Sequence, residues 1–286
     1  MRRLLWRGLV LIVFIVAAGI VAGVRFDHPA AEVAARWAKP PSKFIDVDGM
    51  HVHVRDRGTG PSVILLHGSN SSLFTWEGWA ADLARDHRVI AFDLPGHGLT
   101  GPHPRALYSP ADMAEFVDHV ATALGVDRFS LAGNSMGGGI AMDYVLAHPG
   151  RLDKLILIDS VGMPREEPLP IAYRITRMAV VGGLSRWVTP RFLVAMSVRE
   201  VYGDPSKVTD ELIDRYYDLL LREGNRAATY TRLTLPMESQ TPERLAQIKA
   251  PVLIMWGGRD RWILPKFRLF SSRRVTPENG RRPIIR

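Results

Sequence analysis

The chain contains no cysteine, which excludes disulfides, a thiolate nucleophile and cysteine metal ligands while leaving the cellular compartment open. Histidine is absent from residue 149 to the end. Acidic residues are too few to balance the basic ones, and the net charge is +8. The excess sits at the ends: residues 266–286 carry seven Lys or Arg against one acid, and Arg2, Arg3 and Arg7 open the chain. The body between is close to neutral. Without a basic stripe interleaved with aromatics, it does not fit a nucleic-acid-binding protein. No internal repeat or low-complexity segment is present, and 286 residues at 47% hydrophobic content suit one large core, or one core with an inserted cap.

A long apolar run occurs at the N-terminus. Residues 8–24 are uncharged and mostly aliphatic, preceded by Arg2, Arg3 and Arg7 and closed by Arg25. With Leu4, Leu5 and Trp6 the stretch reaches the roughly twenty residues that span a bilayer, and the positive cluster before it favours a cytoplasmic N-terminus. The expectation is a single-pass anchor over residues 1–25 with the following domain on the outer, periplasmic or extracellular, side. A cleaved signal peptide, with Val21 and Gly23 near the cleavage site, is the competing reading. Residues 26–43, with Pro29, Pro40 and Pro41, read as a linker that is partly helical over 30–38.

From Phe44 onward short apolar strands alternate with helical stretches, the pattern of an α/β fold with a mostly parallel sheet flanked by helices. Strands are expected at 44–47, 52–55, 62–66, 88–92, 129–132, 154–158 and 252–256, with helices at 76–85, 110–124 and 138–148. Asp48 and Gly49 make a hairpin turn between the first two strands. Between about 161 and 242 the strand rhythm stops, and helical spacing at 171–180, 191–196 and 209–222 predicts a helical cap. Met163, Met178, Trp187, Met196, Tyr216 and Met237 are candidates to line a pocket beneath it, or simply to pack the cap.

Directly after the fifth strand come Gly133, Asn134, Ser135, Met136 and Gly137. A serine between glycines on a strand-to-helix turn is a nucleophile elbow: the strained backbone presents the hydroxyl, and flanking side chains would collide with the turn. Ser135 is the candidate nucleophile. Two further motifs keep order with it, His67-Gly68-Ser69-Asn70 after the third strand and Asp93 to Gly98 after the fourth. Together they resemble the α/β-hydrolase superfamily, in its capped branch, over residues 44–265.

The resemblance implies an oxyanion hole formed by the backbone amides of Ser69 and Met136. His67, His97 and Asp93 then shape loops rather than carry protons. Gly257-Gly258-Arg259-Asp260 resembles the family's acid loop, making Asp260 the expected third member of a triad; Asp159, after the sixth strand, is the alternative. The superfamily takes its base from a histidine after an eighth strand, and none is present there. Residues 266–286 show no strand-loop-helix pattern, and a frameshifted or truncated end after Pro265 is the expectation, against a divergent tail.

The implied activity is that of a serine hydrolase cleaving a carboxylic ester or similar acyl bond through an acyl-enzyme, impaired by the missing histidine. It requires no metal or organic cofactor and acts on a small, mostly apolar molecule. The wording of the elbow is also similar to hydrolases that cleave carbon–carbon bonds of ring-fission products. A non-catalytic, ligand-binding descendant of the fold is the alternative of a different class.

Overall fold

The computed structural model describes residues 6–7, 14, 19, 21–162, 177–236, 240–260 and 262–263. Its centre is a sheet of seven strands: β1 (Lys43–Val47), β2 (Met50–Arg57), β3 (Ser62–Leu66), β4 (Arg88–Phe92), β5 (Phe129–Asn134), β6 (Leu152–Ile158) and β7 (Val252–Met255), in the order β1-β2-β4-β3-β5-β6-β7. Only β1 and β2 run antiparallel to their neighbours; β4, β3, β5, β6 and β7 are mutually parallel. Asp48 and Gly49 both adopt positive φ (53° and 76°), as the twist of a two-residue hairpin turn demands.

The central parallel strands bury both faces. Ile64, Leu65 and Leu66 of β3 and Phe129 and Leu131 of β5 are buried, which explains why these strands read as unbroken apolar runs rather than alternating ones. Helix α1 (Ala30–Trp37) and α2 (Glu77–Leu83) lie toward one side; α3 (Pro110–Ala123) and α4 (Met136–Ala147) pack with each other and the sheet on the other. The start of α3 is set by sequence: Ser109 and Asp112 form a reciprocal capping box with Pro110 as the first helical residue. Met113, Phe116, Val117 and Val120, spaced for one helical face, are its buried side chains.

The cap contributes α5 (Ala179–Leu184), α6 (Arg191–Val201), α7 (Asp210–Leu221) and α8 (Asn225–Thr234), followed by the short α9 (Pro242–Leu245). Ala195, Val198, Val208 and Ile213 give it a small core of its own. The predicted helix at 171–180 and the residues Met163 and Met237 fall largely outside the described residues. Met178, Trp187 and Met196, candidates for a pocket lining, are instead exposed on the cap surface.

The segment expected as a linker is packed. Arg25 N–H donates to the Trp187 carbonyl (2.8 Å), Thr189 N–H to Gly23 (3.1 Å), His28 N–H to Leu221 (2.7 Å) and Glu223 N–H to His28 (2.9 Å), lacing residues 23–28 to the cap. Val33 of α1 is buried in the same cluster as Leu73, Phe74 and Leu219. Arg36 and the Trp37 indole both donate to Asp218 of α7 (2.6 and 2.9 Å). The physical reason is an apolar stripe, Val33 and Trp37 at helical spacing, that a free tether would leave wet. Among the described residues no helix is long and apolar enough to cross a membrane; the predicted anchor at 1–25 lies largely outside them.

Candidate active site

Ser135 joins β5 to α4 with φ 52° and ψ −116°. A side-chain-bearing residue there stores about 1–3 kcal/mol of strain and persists only when its surroundings over-determine it. They do: its N–H donates to the Ile158 carbonyl (3.0 Å), and its carbonyl accepts from Gly138 and Val161 (3.1 Å each). The two flanking glycines are obligatory. A Cβ on Gly133 would lie 2.2 Å from the Gly137 carbonyl oxygen, and one on Gly137 would lie 2.4 Å from that of Leu66.

That close approach brings the loop after β3 against the elbow. A Cβ on Gly68 would meet the Ser135 Cβ at 3.2 Å, so the Ser69 amide follows a residue already touching the serine. Met136 opens α4 with an amide that no helical carbonyl accepts, and the helix dipole adds a favourable field for an anion there. No described backbone carbonyl accepts the Ser69 amide. The loop carrying Ser69 and the first turn of α4, which carries Met136, thus lie on either side of Ser135.

His67 is buried: its Nδ1–H donates to the Gly68 carbonyl (2.8 Å) and its Nε2 accepts from Leu94 N–H (3.0 Å). Burial holds its pKa below the ordinary imidazole value despite the opposing charge of Asp93. It is a neutral clamp between two loops. His97 bonds the Pro95 carbonyl (3.0 Å), and burial, reinforced by the charge of Arg232, drives its pKa well below the usual value. Burial would raise the Asp93 pKa, but His53 (2.7 Å) and the Leu73 and Leu99 amides hold it low. These three residues build loops, as expected from their motifs.

On the acid side, Asp159 ends β6 at φ 44° and accepts from the Gly257 N–H (2.7 Å). Burial raises its pKa; the Gly257 amide opposes this, and the charge of Asp260 adds to it. Asp260 caps its own turn, accepting from the Trp262 and Ile263 amides (2.7 and 2.9 Å). Both carboxylates therefore stand past the ends of adjacent strands, on the edge of the sheet where β5 delivers Ser135. All nine histidines are described, and none hydrogen-bonds to Ser135.

Four contacts were not legible in the sequence. Arg232 of α8 donates to Ser69 Oγ (2.7 Å) and to Asn70 Oδ1 (3.4 Å), Thr229 to Asn70 (3.2 Å), and the Tyr216 hydroxyl meets Ser71 Oγ (3.2 Å). The cap is thereby latched to the loop that carries the Ser69 amide. A small cleft lies beside this latch, lined by Asn70, His97, Asn225 and Thr229 among others, and Ser135 is not part of its wall.

A strained serine on a strand-to-helix turn at the end of a mostly parallel sheet is the arrangement of a hydrolase of the α/β fold, and the chain belongs to the α/β-hydrolase fold family, whose model matches residues 61–199. A 2-hydroxy-6-oxononadienedioate/2-hydroxy-6-oxononatrienedioate hydrolase of Paraburkholderia phymatum is 32% identical over 237 residues, covering 78% of this chain and 80% of its own length. Among solved structures, a membrane phospholipase A described as a bacterial virulence factor is 28% identical, with a TM-score of 0.69 over 100% of this chain and 90% of that one. A meta-cleavage product hydrolase from Pseudomonas fluorescens, at 22% identity, shares the fold with a TM-score of 0.71 over 85% of this chain and 87% of its own. An uncharacterised protein of Mycobacterium bovis is 36% identical over 141 residues, and this chain spans only 40% of its length.

Proposed function

We propose that the chain is a membrane-anchored serine hydrolase of carboxylic esters, acting through an acyl-enzyme with its catalytic domain on the outer face. Ser135 attacks the carbonyl carbon, the amides of Ser69 and Met136 receive the developing oxyanion, and Asp260 is the triad acid. The observation that carries this reading is the backbone of Ser135, φ 52° and ψ −116° between two sterically obligatory glycines. Structure stores strain of this kind where a group must be presented. The apolar run after Arg2, Arg3 and Arg7 and the full-length likeness to a membrane phospholipase A support the anchor.

Turnover is low in this reading, because a neutral serine hydroxyl is a poor nucleophile and loss of the histidine of a comparable triad costs on the order of 10⁶ in rate. Labelling by a fluorophosphonate tests the assignment. We expect slow labelling of the wild type, none of Ser135→Ala, and acceleration by added imidazole, which supplies the missing base. Imidazole-independent labelling equal in both proteins refutes the nucleophile. A carbon–carbon bond hydrolase of the same fold is the second reading, favoured by the 32% identity to an enzyme named for such a substrate. Comparing imidazole-rescued turnover of a p-nitrophenyl ester with that of a ring-fission dienone separates the two, and turnover of neither, with no labelling, identifies a non-catalytic binding protein.

A further inference from the structure

Large apolar side chains are rarely left wet in a cluster unless something covers them. On the cap, Trp187 (55% exposed), Phe192 (62%) and Met196 (53%) are exposed together with Leu193, within the stretch that closes α5 and forms the first turns of α6. The buried residues of α6, Ala195 and Val198, face the cap's own core. Phe192, Leu193 and Met196 therefore form the opposite face of the helix, which no described element covers.

The strap fixes what lies next to this face. Residues 23–25 pair with Trp187 to Thr189 through the Arg25 and Thr189 amides, and Val24 forms an antiparallel bridge with Val188. The C-terminal end of the apolar run, Gly23 and Val24, thus lies at the edge of the apolar cap face, with Phe26 (78% exposed) two residues further on. Arg25 stands at the same point, its guanidinium donating to the carbonyls of Ala22 and Val24 (2.8 and 2.7 Å). A run that enters a bilayer holds the residues at its exit in the interfacial zone, where aromatic rings and arginine are favoured.

We infer that the face formed by Trp187, Phe192, Leu193 and Met196 is a lipid-docking surface, seated in the same bilayer leaflet that receives the N-terminal run. The inference rests on the membrane reading above and adds to it a second, independent contact. An amphipathic helix lying in an interface buries its apolar face about 5–10 Å into the boundary between headgroups and acyl chains. The two contacts act as one, since anchoring raises the local concentration of the cap at the lipid surface.

The absence of cysteine allows a clean test. Phe192→Cys and Met196→Cys, each carrying a nitroxide, are reconstituted as full chains in vesicles of phosphatidylethanolamine and phosphatidylglycerol, with Asp153→Cys as an exposed control far from the cap. Power saturation then measures collision with oxygen, which concentrates in lipid, and with a water-soluble nickel chelate. We expect both cap labels to collide severalfold more with oxygen and severalfold less with the chelate than the control. Cap labels as open to the chelate as the control overturn the docking surface alone. Labels shielded from both reagents also overturn it, because a protein segment or a second copy then covers the face. Release of the chain from vesicles by carbonate washing overturns the anchor and the docking surface together.

Discussion

At the scale of single residues, burial decides protonation more than sequence neighbours do. His67 and His97 are neutral because water is excluded from both. Their folded pKa values lie below the ordinary imidazole value of about 6.5, so unfolding takes up protons once the pH falls to that range. The stability they contribute is complete above about pH 6.5 and declines below it, by up to about 1.4 kcal/mol per pH unit for each histidine. Chemical denaturation between about pH 7.5 and pH 5 measures this slope, and a midpoint that does not move over that window contradicts the neutral assignment. Asp159 behaves in the opposite sense: burial and the adjacent Asp260 charge raise its pKa.

At the scale of elements, the N-terminal strap and the cap act as one unit. The Arg226 guanidinium, 3% exposed, donates to Asp27 Oδ1 from Nε and Nη2 (2.9 and 2.6 Å) and to the Arg25 carbonyl (2.7 Å). Asp27→Asn leaves a buried cation without its counter-charge. We expect a loss of about 2 kcal/mol, less than for a fully buried pair because Asp27 is one-third exposed. Thermal unfolding measures the loss, and hydrogen exchange at residues 23–28 locates it; unchanged protection there would mean the strap is held by its backbone pairing alone. Helix α8 illustrates what the sequence hid. Its residues are too polar to show a core-facing stripe, yet Asn225 at its start donates to the Gly98 and Leu219 carbonyls (3.0 and 2.7 Å), and Arg232 near its end reaches Ser69. Polar contacts position this helix, and polarity has no period to read.

At the scale of the whole molecule, the sheet of the described residues ends in β1 on one edge and β7 on the other. Strand β7 pairs only with β6 among the described residues, and it leaves Leu253 (41%) and Met255 (37%) exposed on one face. An apolar edge strand invites pairing with another copy. Concentration-dependent self-association in light scattering is the expected outcome, with Leu253→Lys lowering it by placing a charge on the strand. A wild-type chain that stays monomeric at all concentrations removes that expectation.

The local architecture was legible because it rests on local physics. Apolar runs long enough for a buried strand predicted β3 and β4 to the residue, and the glycines around Ser135 announced a turn that only a missing Cβ permits. The order of loop, elbow and acid placed Ser69, Met136, Asp159 and Asp260 at the same end of the sheet, since parallel strands deliver their C-termini together. Tertiary structure alone decided which partners meet. Arg232 and Ser69 lie 163 positions apart, and Asp159 and Gly257 lie 98 apart; contacts of that span leave no periodicity in a chain. The folding of residues 23–38 onto the cap was likewise settled by surfaces that come into being only once both have formed.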